Sequence, residues 1–475
     1  GLSHGAIKTL EAHGTDEQKE KYLTRLISGE WTGTMCLTEP HCGTDLGILR
    51  TKAEPNADGS YSISGTKIFI SAGDHDAVDN VVHLMLVRIK GAPRGTKGIS
   101  LFVVPKYRLG ADGSFEDNDV TSTGIYHKMG QRGTPAMHLT MGDNDDCRGW
   151  LVGEPNRGLA YMFQMMNEAR IGVGMTGAAI ASAAYYASLV YAKERPQSRR
   201  LNEKNQLDSP QTMIINHPDV KRMLLFQKAV VEGSLSLLLE SARLSDLVKV
   251  TEGEEKEDYE LLLDLLTPVA KTYPTEMGVR SVSEGLQVLG GYGFTEDFPL
   301  EQYHRDIRIT PIYEGTTGIQ SQDLLGRKMT IKGGKAPRLL FAEISKTLAQ
   351  ADTHEELKPY AETLRKELAR VQDVTATLLP YAAQGDYERF LMDATLYMEM
   401  FSIVTIAWQW LKQGVVAKEA LLTSNPAESE ADFYESKLLT MKYFFHYEVP
   451  KTKGLATRLK DTEILTITTD KELII

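Results

Sequence analysis

From residue 31 to about 155 the chain is written in short apolar runs separated by turn residues. From Gly158 onward it is written in helix-length periodic stretches. This switch limits the fold more than any other feature, because a two-residue and a 3.6-residue period bury different faces and cannot be exchanged. Tyr61-Ser62-Ile63-Ser64 and Lys67-Ile68-Phe69-Ile70 flank Gly65, and further runs cover 81–89, 99–104, 137–141 and 150–152. Such spacing predicts a β-sandwich or barrel over 31–155. Helices are predicted at 159–195, 217–249, 256–285 and 314–328. Residues 332–337, Lys-Gly-Gly-Lys-Ala-Pro, read as a linker, followed by amphipathic helices near 338–350, 354–380, 386–413 and 430–447. Residues 1–30 read as helix, with a capping box at Thr15-Asp16-Glu17-Gln18 and a stripe of Tyr22, Leu23 and Leu26 behind it. The fold class is α+β, a central β block flanked by helical blocks and extended by more helices at the C-terminus. The tail 461–475 is β-branched and carries no pattern.

Apolar residues make up 42% and charged residues 25% of the 475, which excludes a collagen-like or mainly disordered chain. Lys and Arg number 53 against 64 Asp and Glu, a net charge of −11. That balance argues against broad nucleic-acid or anionic-membrane binding and leaves room for a local basic pocket. Cys36, Cys42 and Cys147 lack zinc spacing and form no disulfide framework, so no metal site and a cytoplasmic location are expected. Residues 171–192 carry no charge over a helix length. They consist largely of Gly, Ala, Ser, Thr and Tyr, which predicts the central helix of a bundle and no membrane span. No signal peptide is apparent, and the chain starts at Gly1.

Four motifs have both a structural and a chemical reading. Gly172-Val173-Gly174-Met175-Thr176-Gly177 matches a dinucleotide-binding string, but that motif needs a strand before it, and 159–169 is already helical in pattern. Close helix packing is expected for these glycines. Leu37-Thr38-Glu39-Pro40-His41-Cys42-Gly43-Thr44-Asp45 reads as a turn or as a set of backbone N–H groups for an anion or a polar ring edge. Gln287-Val288-Leu289-Gly290-Gly291-Tyr292-Gly293-Phe294 reads as a helix cap or as a close approach to a pyrophosphate. Ile312-Tyr313-Glu314-Gly315-Thr316-Thr317 sets a carboxylate before a helix start, either as a first-turn acid or as a general base.

Taken in order, T-E-P-x-x-G-[ST]-D, the strand K-I-F-I-S, a helix with Arg170, Q-V-x-G-G-x-G-F, Arg305-Asp306 and I-Y-E-G-T resemble the acyl-CoA dehydrogenase family over about 1–330. The region from 338 resembles the extra C-terminal helical domain of a long subfamily that includes enzymes for fatty acyl-CoAs and for 3-methylmercaptopropionyl-CoA. The resemblance implies four parts: 1–30 as the end of an N-terminal helical domain, 31–155 as a β-domain, 156–331 as a helical bundle and 338–475 as the appended domain. It also implies that the family's N-terminal helices precede Gly1.

The resemblance further implies a noncovalent FAD held by the β-domain and the bundle. Glu314 would take the α-proton of an acyl-CoA thioester while hydride leaves the β-carbon for the flavin, giving a trans-2-enoyl-CoA. The thioester oxygen would be stabilised by the Glu314 N–H and a flavin ribityl hydroxyl. Met35, Leu37 and Thr38 would contact the flavin ring, and Thr44 a phosphate of FAD or CoA. Phe69, Ile70 and Ser71 stand where the family has W-I-T. Phe69 would shield a flavin face, and Ser71 would bond near the hydride-accepting nitrogen. Arg195, Gln287, Gly290 and Gly291 would hold the adenylate half of a neighbouring subunit's FAD, with Thr316 a further cofactor contact. Tyr313 and Gly315 would line the acyl site, and Arg170 would support the loop of Glu314. A homodimer or larger oligomer follows, with electron-transfer flavoprotein as redox partner.

The chain departs from the family where R-x-x-F-G reads Arg195-Pro196-Gln197-Ser198-Arg199, followed by a polar insertion at 202–216. It also has Gly318 where many members carry Gln. Two rivals share the fold: an acyl-CoA oxidase that returns electrons to oxygen, and a flavin-carrying DNA-protective protein.

Overall fold

A computed structural model describes residues 1–203, 205–206, 208–423 and 426–474. Lys204 and Leu207 of the insertion, and Ile475 of the tail, lie outside the described residues. The chain forms two compact units, Gly1–Gly172 and Val173–Ile475.

The first unit holds helix α1 (Leu2–His13) and ten strands: β1 (Trp31–Cys36), β2 (Lys52–Pro55), β3 (Tyr61–Ser71), β4 (Asn80–Ile89), β5 (Ile99–Pro105), β6 (Tyr107–Leu109), β7 (Phe115–Asp117), β8 (Val120–Ile125), β9 (Ala136–Met141) and β10 (Arg148–Val152). β4 pairs with β5, β5 with β10, β10 with β3, β3 with β2, and β2 returns to β4. Five strands therefore close into a barrel, which removes the open edges a flat sheet would expose. β1 lies parallel to β4, and the second half of β3 carries β9 and then β8.

Alternation along β4 and β5 feeds two cores. Leu84, Leu86, Leu101 and Val103 enter one, while Met85, Val87, Phe102 and Val104 enter the other. Each such fully buried side chain contributes about 2 kcal/mol of transfer free energy. α1 covers the first core with Ala6 and Leu10, and Gly33 on β1 makes room, since a Cβ there would lie 2.5 Å from the Ala6 Cβ. Residues 1–30 are not one helix: α1 stops at Gly14, whose backbone is extended, and a new start is capped at Thr15. The capping box is formed, with Gln18 N–H donating to Thr15 Oγ1 at 3.2 Å and Thr15 N–H to Gln18 Oε1 at 3.1 Å.

Helix α2 (Gly158–Glu194) passes from the first unit into the second. There follow α3 (Pro218–Val250), α4 (Gly253–Leu289), α5 (Leu300–Ile307), α6 (Thr317–Asp323), α7 (Ile331–Ala351), α8 (Lys358–Ala383), α9 (Ala394–Thr423) and α10 (Glu428–Tyr443). The GxGxxG string lies inside α2, not at a strand-to-helix turn. Pro274 in α4 has no N–H for the Ala270 carbonyl, and Gly174 sits against that oxygen, where a Cβ would be 2.0 Å away. Gly177 likewise faces the Pro274 carbonyl. Gly174 and Gly177 serve close helix packing, whereas Gly172 does not, since a Cβ there would meet no atom within 4 Å.

The C-terminal helices belong to the same compact unit as the bundle. α9 is its buried axis, and Trp410, fully buried, donates its indole N–H to the Ala229 carbonyl of α3 at 3.2 Å. Gly233 on α3 admits that contact, since a Cβ would lie 2.8 Å from both Ile406 and Trp410. Residues 332–337 join two helices through a short kink. Lys332, Gly333 and Gly334 take φ of 46°, 64° and 79°, a left-handed kink that two glycines permit, and helix resumes at once with Ala336 and Pro337 buried. Ion pairs of Lys332 with Glu257 and Lys335 with Asp258 hold the kink to α4. The helix predicted from 314 starts only at Thr317, because Glu314 and Gly315 both have positive φ. Two stretches, Gly158–Glu194 and Tyr387–Leu422, are long and apolar enough to cross a membrane by length and composition alone. Ala181, Ala184, Phe401, Ile406 and Trp410 within them are buried in protein.

Candidate active site

In the first unit the two motif segments 35–38 and 69–71 are tied together by backbone and by a buried ion pair. Ile68 N–H donates to the Thr38 carbonyl at 2.9 Å. Lys67, wholly buried, donates to the Leu37 carbonyl at 3.1 Å and to Glu39 Oε1 at 2.9 Å. Glu39 also accepts from the Thr51 hydroxyl at 2.6 Å and from the N–H groups of Arg50 and Thr51 at 2.8 and 3.0 Å. Burial opposes ionisation of Glu39, but Lys67 and these donors outweigh it and hold the carboxyl below its usual range. Burial pulls Lys67 down against the attraction of Glu39. Neither residue is among the expected site residues. The Glu of T-E-P reads as part of a turn.

The strand β3 changes its alternation within the motif. Lys67 shares the inward face of Ile63; the register against β9 then shifts between Lys67 and Ile70, and Ile68 and Ile70 are buried while Phe69 stands 58% exposed. Phe69 has φ +58°, a left-handed conformation that costs an aromatic residue of order 1–3 kcal/mol, and its ring rests on Tyr126 at 4.5 Å. The bulge thus leaves an aromatic side chain at the surface. Ser71 and Thr38 are half-buried and Thr44 is exposed. The side chains of Met35 and Ile70 are buried in the two cores and Leu37 packs against the first, which leaves mainly their backbone for contacts. Arg170, 4% exposed on α2, lies with its guanidinium 5.8 Å from the Phe163 ring and donates to Asn167.

The second unit carries the other motifs. Glu314 has φ +55° and Gly315 φ +91°. Gln320, fully buried, donates its side-chain amide to the Glu314 carbonyl at 3.1 Å. Thr316 caps α6, its hydroxyl oxygen accepting from Ile319 N–H, and the Thr317 hydroxyl donates to Glu276. Tyr313 N–H donates to the Ile309 carbonyl, so the turn is closed on both sides of the carboxylate. Tyr313, Glu314, Gly315 and Thr316 are each half-buried.

Elsewhere in this unit a cavity of about 500 Å³ is lined by Tyr191, Arg195, Gln197, Gly290, Gly291 and Tyr292, among others. Gly290 has φ +61°, and no atom lies within 4 Å of a Cβ built at either glycine. An arginine beside two side-chain-free backbone positions suits a diphosphate: it offers charge and leaves room for a bulky anion. Gln287 is exposed one turn before, its carbonyl capped by Gly290 N–H. The insertion returns antiparallel onto the arginine segment, with Ile214 N–H on the Arg195 carbonyl and Gln197 N–H on the Thr212 carbonyl. That return brings Ile214 to the cavity wall. The donor set fits the adenylate half of FAD, and the β3 bulge fits the face of a planar ring.

Comparison with known proteins agrees. The acyl-CoA dehydrogenase middle domain profile matches residues 34–144, the acyl-CoA dehydrogenase C-terminal domain profile 156–329, and the acetyl-CoA dehydrogenase C-terminal-like profile 340–469. A 3-methylmercaptopropionyl-CoA dehydrogenase of Ruegeria pomeroyi is 40% identical over 468 residues, 97% of this chain and 77% of that protein. The chain belongs to the acyl-CoA dehydrogenase family. A butyryl-CoA dehydrogenase of Syntrophomonas wolfei is 37% identical over 481 residues, 100% of this chain and 78% of that protein. An acyl-CoA dehydrogenase from Bacillus anthracis, solved with FAD, shares the fold at TM-score 0.73 and 21% identity, over 97% of this chain and 74% of that one. The acyl-CoA dehydrogenases are FAD-dependent oxidoreductases of the CH–CH group.

Proposed function

We propose that this chain dehydrogenates an acyl-CoA thioester to its trans-2-enoyl-CoA with Glu314 as the base. The observation that carries this reading is the Glu314 turn. A carboxylate is held at positive φ, next to a glycine, at the mouth of a capped helix, in a sequence that reads I-Y-E-G-T. Backbone strain of that kind persists where the surrounding structure over-determines it, and it clusters at active sites.

An α C–H beside a thioester is a weak acid, so the base must be placed and the carbonyl oxygen must be stabilised as charge develops. The Glu314 carboxylate would take the α-proton and its own backbone N–H would donate to the thioester oxygen. Tyr313 and Gly315 would line the acyl chain at that point. Bound FAD supplies the acceptor for the β-hydride. Thr38 and Ser71 would hydrogen-bond its ring, Phe69 would cover one face, and Met35, Leu37 and Ile70 would contribute backbone. Thr44 would meet a phosphate of FAD or CoA. Arg195, Gln287, Gly290 and Gly291 would hold the diphosphate and adenylate of a partner's cofactor, with Thr316 beside it, which makes the working form a homodimer or larger. Arg170 would support the Glu314 loop. The electrons would pass to an electron-transfer flavoprotein.

The test is anaerobic titration of the FAD-loaded full chain with acyl-CoAs of graded length and with a methylthio-acyl-CoA, followed by flavin absorbance. Bleaching by one or more of them, slow reoxidation by air and fast reoxidation by an electron-transfer flavoprotein are the expected results. Retained yellow colour with every thioester would overturn the reading, and rapid oxygen consumption with peroxide release would make the enzyme an oxidase.

A further inference from the structure

Gln320 lies outside the I-Y-E-G-T string, yet its side chain hydrogen-bonds to the backbone of the proposed base. It is fully buried on α6 and reaches back six residues to donate to the Glu314 carbonyl at 3.1 Å. Its own Oε1 is buried with no hydrogen-bond partner among the described residues. Gly315 stands between the two. A Cβ at 315 would lie 2.4 Å from Gln320 Nε2, so the glycine is required both by its φ of +91° and by the approach of the amide. Glu314 lies before the hydrogen-bond ladder of α6, which begins only at Thr317. The amide therefore fixes the Glu314 carbonyl at the point where the backbone runs through two successive positive φ values.

We infer that Gln320 is a positioning residue for the dehydrogenation: its amide locks the Glu314–Gly315 peptide, and through it the direction of the Glu314 carboxylate and N–H. The inference rests on Glu314 being the base. A lock of this kind acts on geometry and leaves substrate binding elsewhere untouched. Its loss therefore appears in the rate of the chemical step and not in affinity.

Gln320→Met is nearly isosteric and removes both the amide donor and the unpartnered Oε1, so the fold should survive; Gln320→Leu serves as a second variant. In the FAD-loaded full chain, anaerobic stopped-flow should show flavin reduction slowed on the order of 10- to 100-fold. Acyl-CoA affinity, read from saturation of the rate, and the melting temperature should stay near wild type. A crystal structure of the variant should show Glu314 relaxed from its positive φ. The loss caused by Gln320→Met should be smaller in the Glu314→Gln background, where the carboxylate is gone and only the backbone N–H remains to be directed. Full-speed reduction in folded Gln320 variants would overturn the inference. So would an equal loss in the Glu314→Gln background, since Gln320 would then act by another route. Wild-type reduction in Glu314→Gln alone would overturn the base assignment and this inference together, and it is distinguishable because it needs no change at Gln320.

Discussion

Lys67 Nζ lies 2.9 Å from Glu39 Oε1, and both side chains are almost wholly inside the first unit. A buried ion pair is expensive to form and more expensive to break, because removing one partner leaves the other charge without its counterion. Here the pair sits where the two segments proposed to meet the flavin ring converge. Lys67 also holds the Leu37 carbonyl, and Ile68 holds that of Thr38.

Lys67→Met should cost about 3–5 kcal/mol of stability, because the Glu39 carboxylate stays buried on Thr51 and Arg50 without its cation. Urea unfolding of the FAD-loaded protein reads this directly. The double variant Lys67→Met with Glu39→Gln should regain much of the loss, and FAD affinity should fall more in the single variant than in the double.

Gly315→Ala places a Cβ at φ +91° and 2.4 Å from the Gln320 amide. A loss of about 1–3 kcal/mol is expected from the conformation alone. Reduction by acyl-CoA should slow even where the protein remains folded and yellow. A thermal melt and a stopped-flow trace on the same sample separate the two effects.

His83 is fully buried on β4, its Nδ1 2.7 Å from the Thr34 hydroxyl, and burial pushes its pKa down to about 4 from 6.5. Asp74 pulls it up and Lys106 pushes it down. Between those two pH values the unfolded chain binds a proton that the folded protein refuses. Stability should therefore fall on acidification from about pH 6.5 to 4, by roughly 1.4 kcal/mol per pH unit and about 3 kcal/mol in all. Above pH 6.5 this group contributes no slope. His83→Gln should flatten the pH dependence in that window, as read by denaturant midpoints at a series of pH values.

Periodicity made much of the fold legible. The strand runs near 81–89 and 99–104 and the helices near 159–195 and 217–249 appear with ends moved by one residue, since their patterns follow burial. Where backbone conformation departs from the period, the reading failed. Alternation from Ile63 carries Lys67 to the inward face, and the register shift that follows it leaves Ile70 buried and Phe69 turned outward. Lys-Gly-Gly-Lys-Ala-Pro reads as a linker, and its two glycines make a left-handed kink between two helices, which periodicity alone does not show. Glu314 looks like a first-turn acid, yet its φ of +55° places it before the helix. The candidate site shows the same division. Arg195, Gly290 and Gly291 line one cavity as their motifs suggest. Gln320 and the Lys67–Glu39 pair act through chain reversals that no local pattern encodes. The insertion at 202–216 looked like a departure at the adenylate site, and its return onto Arg195 adds Ile214 to the wall instead.

The most direct test of the central claim is anaerobic mixing of the Glu314→Gln protein, loaded with FAD, with the acyl-CoA that bleaches the wild type fastest. The variant should bind FAD and acyl-CoA, stay yellow, and be reduced at least about 10³-fold more slowly, as loss of a catalytic base requires. Bleaching at the wild-type rate would contradict the assignment of Glu314 as the base.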